Sequence, residues 1–187
     1  MGHGTPLNPS LQAFAALLEE RGVRLGLVGE GDREHLWERH VADSFRAVAT
    51  LRPGDRDAYD LGSGGGLPGI VVAIARPSLR VTLVETQRRR VGWLELVIEE
   101  LGLENAVARQ ARIEDLSDPV DVCFARALAP IERAWELARP LLRPGGRLVY
   151  FAGRSFDPAA TEGLAADIRI LEESDLESSG PLVIIAD

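Results

Sequence analysis

Asp60-Leu61-Gly62-Ser63-Gly64-Gly65-Gly66-Leu67-Pro68-Gly69 is the stretch on which the fold turns. A short apolar run carrying an acid leads into a glycine-rich turn, and an apolar segment with helical character follows. Glycine has no Cβ and tolerates positive φ, so such a turn lets the main chain approach a nucleotide-like ligand closely. The next apolar run, Arg80-Val81-Thr82-Leu83-Val84-Glu85, ends in an acid placed to accept hydrogen bonds from a ribose. Together the two segments point to a nucleoside cofactor held at the carboxyl ends of strands.

Outward from this unit, strands alternate with helices. Strands are expected near Ala58–Leu61, Arg80–Glu85, Ala106–Gln110, Val120–Ala125 and Arg147–Ala152, with helices near Pro68–Arg76, Arg88–Leu101 and Pro130–Leu141. That alternation predicts an α/β fold, a mainly parallel sheet with helices on both faces. Two further strands, near Ile168–Glu172 and Pro181–Ala186, are expected as an antiparallel pair at one edge. Ahead of the core, Leu11 to Arg21 reads as an amphipathic helix with Ser10 as its cap, and Gly22 to Gly31 as a glycine-rich connection. A second helix is expected from about Asp32 to Leu51, ended by Arg52-Pro53-Gly54-Asp55. These two helices are placed to cover the site as a lid.

The 187 residues suit one well-buried domain, and 45% apolar with 27% charged residues is ordinary for a globular protein. No apolar run approaches the roughly 20 residues that span a bilayer, so no membrane association is expected. The amino terminus lacks the basic start and apolar stretch of a signal peptide. The single Cys123 excludes an internal disulfide framework and a cysteine-rich zinc site, which makes the cytoplasm the expected compartment. All 21 basic residues are arginine. Without lysine there is neither a Walker-type phosphate loop nor Schiff-base chemistry. The net charge of −8 is concentrated after Phe156, where eight acids face one arginine. The remainder is near neutral and free to present a basic face, so charge neither supports nor excludes RNA.

Gly64-x-Gly66-x-x-Gly69 formally satisfies the dinucleotide fingerprint, with Glu85 at about the right distance. Three features favour S-adenosylmethionine instead. Asp60 directly precedes the turn, giving Asp-x-Gly-x-Gly-x-Gly. Pro68 stiffens the entry to the helix, and Arg143-Pro144-Gly145-Gly146-Arg147 leads into the fifth strand. On this reading Gly62, Gly64 and Gly66 hold the methionyl part, with Asp60 near its ammonium. Glu85 takes the ribose hydroxyls, and Ile113 and Glu114 pack on and hydrogen-bond the adenine.

With these residues in view, the chain resembles the bacterial small-subunit rRNA guanine-N7 methyltransferases (the RsmG, or glucose-inhibited division protein B, family). The resemblance runs from about Leu36 to Val149. It rests on Glu38-Arg39-His40-Val41-Ala42-Asp43-Ser44, the glycine string, Arg89-Arg90-Val91, Leu103-Glu104-Asn105, Ala111-Arg112-Ile113-Glu114 and Ala125-Arg126-Ala127. It implies a class I methyltransferase fold, Rossmann-like, with a seven-stranded mostly parallel sheet. Residues 1–56 would form the helical lid and 57–187 the core of one domain. It further implies that Gly62, Leu67, Ile113, Glu114 and Arg126 line the cofactor site, and that Arg89, Arg90, Arg112 and Arg126 form a basic cluster facing 16S rRNA in the small ribosomal subunit. The planar arginine fork suits phosphate. The chain departs from the family where a lysine usually follows the fifth strand, here Ala152 with Arg154 nearby. It also has a short amino-terminal helical region, with Leu25-Gly26-Leu27-Val28 where an asparagine-led segment is expected, and an acidic carboxyl end. A diverged paralogue acting on another RNA or a small molecule, and a cofactor-binding protein without transferase activity, are the alternatives.

Guanine N7 carries a lone pair and no proton, so its methylation needs alignment rather than a general base. No catalytic acid or base is assigned, and Arg126, at the end of a central strand, is the residue expected to orient the reacting groups. His40 and Asp43 share a helical face. With His3 and His35 unable to complete a metal site, they are expected to make a helix–core hydrogen bond, and no metal is expected. Cys123 reads as a core residue: it lacks the preceding proline of cytosine-C5 methyltransferases. The Asp/Asn-Pro-Pro-aromatic motif of exocyclic-amine methylation is absent after the fourth strand. The residues carry no signal for an oligomeric state.

Overall fold

The computed structural model describes residues 8–171 and 179–187. Helix α1 (Pro9–Leu17) is capped by Asn8, whose Oδ1 accepts from Ser10 N at 2.9 Å, and it runs on as a wider π-helical turn over Leu18–Gly22. The cap expected at Ser10 thus lies two residues earlier, where an asparagine oxygen satisfies a free helix N–H. The expected second helix is continuous but uneven in pitch. It comprises 3₁₀ turns at Glu30–His35, a π-helical stretch Trp37–Ala42, the short α2 (Asp43–Phe45) and further 3₁₀ turns at Arg46–Thr50.

The core follows as β1 (Asp57–Leu61), α3 (Gly69–Ala75), β2 (Arg80–Glu85), α4 (Arg88–Leu101), β3 (Ala106–Gln110), β4 (Val120–Arg126), α5 (Ile131–Ala138), β5 (Leu142–Phe151), β6 (Asp167–Leu171) and β7 (Leu182–Ala186). The seven strands form one sheet in the order β3-β2-β1-β4-β5-β7-β6. β1 to β5 pair parallel, while β7 pairs antiparallel with both β5 and β6. The expected extension of β6 to Glu172 falls outside the described residues. β5 starts five residues earlier than expected, with a register irregularity against β4 where the Pro144–Gly146 turn is absorbed.

Alternation along the strands builds two cores. Ala58, Val81, Leu83, Val122 and Phe124 face α3, α4 and the amino-terminal helices, whereas Tyr59, Leu61, Val84, Cys123 and Ala125 face α5. Helix α3 is apolar all round and buried from Gly69 to Ile74, because the sheet covers one side and α1 and α2 approach the other. The Asn105 amide reaches the carbonyls of Ala73 and Leu79 at 3.0 and 2.9 Å, tying down the chain that leaves α3. In α5, Ile131, Ala134, Trp135 and Ala138 make the buried stripe at i, i+3, i+4 and i+7. Cys123 is fully buried, and that burial pushes its thiol pKa far up, as befits an inert core residue. No helix among the described residues is long and apolar enough to cross a membrane.

One charge pair is wholly internal. Arg147 is 1% exposed and grips Asp55 bidentately at 2.6 and 3.1 Å, also donating to Thr50 O at 2.7 Å. Arg147→Met strands the Asp55 carboxylate in the interior and is expected to cost about 3–5 kcal/mol of stability in urea denaturation. Pairing it with Asp55→Leu should recover most of that loss.

Candidate cofactor cleft and its arginine rim

Sheet order reverses between β2-β1 and β4-β5, and open α/β sheets bind ligands at the carboxyl ends of strands beside such a switch. Here that position holds the glycine turn. Gly62 has φ 73° and Gly66 φ 95°. A Cβ on Gly62 would stand 2.8 Å from Leu128, and one on Gly66 would stand 2.7 Å from Ile70, so both the backbone angles and the space demand glycine. The turn is held from below by the N–H groups of Gly62 and Ser63 on Val84 O at 2.9 and 3.0 Å. From the side, Trp93 Nε1 of α4 donates to Gly65 O at 3.1 Å.

The two acids take different positions around this turn. Asp60 is fully buried beneath it, its Oδ2 accepting from Gly69 N at 3.1 Å. Burial pushes its carboxyl pKa up to about 6, against the nearby Ser63 hydroxyl, the Gly69 N–H and the Arg126 charge. It braces the turn rather than lining the cleft. Glu85 lies at the end of β2, accepting from Thr86 N and Gln87 N on one oxygen at 2.7 and 3.0 Å, and from Gly64 N on the other at 3.2 Å. Burial raises its pKa, but these N–H groups and Arg90, 3.5 Å away, outweigh that and hold it below the ordinary carboxylate range. Glu85 therefore sits just under Gly64 and Arg90.

Above the turn is a cleft of about 360 Å³ lined by Leu27, Val28, Gly29, His40, Gly62 to Gly65, Leu67, Arg90, Arg126 and Ala127. The size falls within the range of small-molecule sites. Arg126 projects from the end of β4 and spends its fork on the helical segment. Nη2 donates to Arg39 O at 2.8 Å and contacts His40 Nδ1 at 3.0 Å, while Nη1 donates to Ser44 Oγ at 3.2 Å. Asp43 lies 3.5 Å from the same guanidinium and 2.8 Å from Arg46. The Arg39 and His40 carbonyls that Arg126 reaches lie within the π-helical stretch Trp37–Ala42. His40 and Asp43 thus join the helical segment to the core.

The other arginines divide. Arg90 lines the cleft; Arg89 is exposed and donates to Leu25 O of the connection between the two amino-terminal helices; Arg112 is exposed beyond β3. Ile113 is half-buried near the end of β2, since Ala111 N donates to Glu85 O at 3.1 Å. Glu114 is exposed and turned toward Arg133 of α5 at 3.0 Å. So the turn, Leu67, Arg90 and Arg126 meet in one cleft with Glu85 under its floor, while Ile113, Glu114 and Arg112 lie on its β3 flank. The Leu27–Gly29 strap, Trp93 and Leu128 also build the site. Their residue types carry no chemical signal, and only tertiary packing brings them there. Among the described residues no group of three or more His, Cys, Asp or Glu is placed to hold a metal.

Solved structures share this architecture. Magnesium protoporphyrin IX methyltransferase from Synechocystis, solved with bound S-adenosylmethionine, superposes with TM-score 0.65 over 98% of this chain and 100% of its own, at 14% identity. An rRNA methylase from Streptococcus thermophilus superposes with TM-score 0.55 over 79% and 94%, at 17% identity. At such identities the likeness speaks to fold, which is that of the class I methyltransferases. Sequence relatives are nearer. The ribosomal RNA small subunit methyltransferase G of Acidiphilium cryptum is 43% identical over 159 residues, covering 82% of this chain and 73% of that protein. That of Clavibacter sepedonicus is 41% identical over 147 residues, covering 78% and 69%. Residues 7–173 match the family model described as GidB, rRNA small subunit methyltransferase G, and the chain therefore belongs to that family.

Proposed function

We propose that this protein transfers a methyl group from S-adenosylmethionine to N7 of a guanine in 16S rRNA, within the small ribosomal subunit or on a precursor of it. The observation that carries this reading is the family match over residues 7–173 together with the glycine cradle at the sheet switch point. The residues present fit the cofactor. Gly62 and Gly64 give main-chain approach, Glu85 supplies a carboxylate kept ionised for ribose hydroxyls, and the cleft is of small-molecule size. When bound, the sulfonium supplies an electrophilic methyl group. Asp60 holds the turn rigid through Gly69. We assign the adenine to Ile113 and Glu114 on the β3 flank, which requires Glu114 to leave Arg133. Arg90 covers Glu85 in this structure and must swing outward for a ribose to reach it.

The chain has little chemistry to perform on the base. N7 has no proton to remove, so the work is alignment and exclusion of water. The helical segment ahead of β1 acts as the lid, and Arg126 fixes that lid to the end of β4. Arg89, Arg90 and Arg112 form the rim that meets RNA phosphates, giving binding that weakens with salt. A ribosomal RNA substrate sets this work in the cytoplasm.

The test is transfer of labelled methyl groups from S-adenosylmethionine to small subunits and to naked 16S rRNA isolated from cells lacking the modification. Label released as 7-methylguanine supports the reading, and Arg112→Ala should raise the KM for RNA several-fold with cofactor affinity unchanged. Label confined to other acceptors, or cofactor binding with no transfer, would reject it.

A further inference from the structure

His40 is the only histidine in the cleft wall, and the proposed chemistry leaves it without a role. Its ring sits between two partners of opposite demand. Nδ1 faces Arg126 Nη2 at 3.0 Å, and an arginine nitrogen only donates, so Nδ1 must be bare. The proton then resides on Nε2, which is buried, 3.3 Å from Asp32 Oδ2, and has no other partner. The Nε2 contact falls short of full hydrogen-bond geometry but has the sense of a donor facing a carboxylate. Asp32 is itself held by Arg39 at 2.7 Å.

We propose that Asp32, His40 and Arg126 form a proton-sensitive latch that sets the transfer cleft, with His40 acting as a positioning residue through Arg126. The proposal rests on the methyltransferase reading of the cleft. With a neutral ring, Asp32 selects the Nε2–H tautomer, Nδ1 accepts from Arg126, and the segment from Trp37 to Phe45 is drawn onto the end of β4. A proton added at Nδ1 sets N–H against N–H and places two cations 3.0 Å apart. Arg126 then loses one acceptor of its fork, and the wall carrying His40 moves off the cleft.

The charged groups acting on the ring are Arg126 from the core and Asp32 and Asp43 from the lid, with Arg39 paired to Asp32 and Arg90 lining the same cleft. Burial and the facing Arg126 charge hold the imidazole below its ordinary value of 6.5, while Asp32 and Asp43 pull it back upward. Because the folded pKa lies below the unfolded one, the unfolded chain binds the extra proton first. The latch is fully made above 6.5 and is lost as pH falls through the folded value. Asp60, pushed up to about 6, titrates in the same region and has to be told apart.

Two measurements do this. In the cofactor-free protein, nitrogen-detected NMR of the imidazoles should show His40, identified by its loss in His40→Asn, as the Nε2–H tautomer at neutral pH and with its midpoint below 6.5. In the transfer assay, kcat/KM should show an acid limb. His40→Asn keeps an oxygen acceptor near the Nδ1 position without a titrating ring. It should retain activity within about threefold at pH 8 and lose that limb, whereas His40→Ala should fall by about tenfold or more at pH 8 and also lose the limb. Asp32→Asn should move the limb to lower pH, because an upward pull on the ring is gone. A limb unchanged in His40→Asn, assigning it to Asp60, or an Nδ1–H tautomer by NMR, overturns the latch. Absent transfer with the expected tautomer and titration overturns the functional reading while leaving the latch standing.

Discussion

Glu85→Ala is expected to raise the dissociation constant for S-adenosylmethionine by about 5- to 150-fold, corresponding to ~1–3 kcal/mol, by calorimetry. The carboxylate organises the site as well as meeting the ligand. It gathers the N–H groups of Gly64, Thr86 and Gln87 at 2.7 to 3.2 Å, and its loss unties the turn from the end of β2. Glu85→Gln should not restore binding, because its amide sets donors against those N–H groups. The pH dependence separates this acid from His40. Glu85 is held below its ordinary 4.5, so its contribution is complete above that value and is lost only as pH falls through the lower, folded one. The part of cofactor affinity that Glu85 supplies, read as the ratio of wild type to Glu85→Ala, should therefore hold steady between pH 5 and 6.5. An equal affinity for Glu85→Ala would show that the ribose lies elsewhere.

Arg126→Ala is expected to be the more damaging change. It leaves Arg39 O, Ser44 Oγ and His40 Nδ1 without their donor and Asp43 with Arg46 alone. Removing one member of a buried charge network costs about 3 kcal/mol or more, which urea denaturation should register. Because the lid is no longer seated, kcat/KM for transfer should fall by about 100-fold, on the order of 3 kcal/mol in transition-state terms. Cofactor affinity should change much less, since the turn and Glu85 remain. Arg126→Lys should rescue little, as one ammonium cannot span acceptors arranged for a planar fork. A variant with intact turnover would show that the lid seats by other contacts.

The parts of this protein legible in its residues are those where local chemistry dictates local shape. Strand alternation, the glycine turn and the acid ending β2 each carry their own signal, and each appears where expected. The helical segment ahead of β1 was legible as helix but not in its pitch: in its π-helical stretch the Arg39 and His40 carbonyls meet Arg126, 87 and 86 residues distant in the chain. The same reason hid the work of Arg126. At the end of a central strand it reads as a ligand group, whereas its fork is mostly occupied by the lid. Asp60 shows the converse: an acid before a glycine turn suggests a ligand contact, and tertiary burial converts it into a brace for Gly69. Arg89 likewise sits with an open basic run in sequence, yet in space it reaches the carbonyl of Leu25.

The bond from Trp93 to Gly65 has a practical side. An indole emits at a wavelength and intensity that answer to its hydrogen bonding and hydration, and this one is fastened to the turn proposed to cradle the donor. Trp37 rides in the lid, and Trp135 lies under the opposite face of the sheet. The molecule thus carries built-in fluorophores at the cradle, on the cover and at a distant reference point, so a change in how the cover seats would be readable in its own ultraviolet emission without any attached dye.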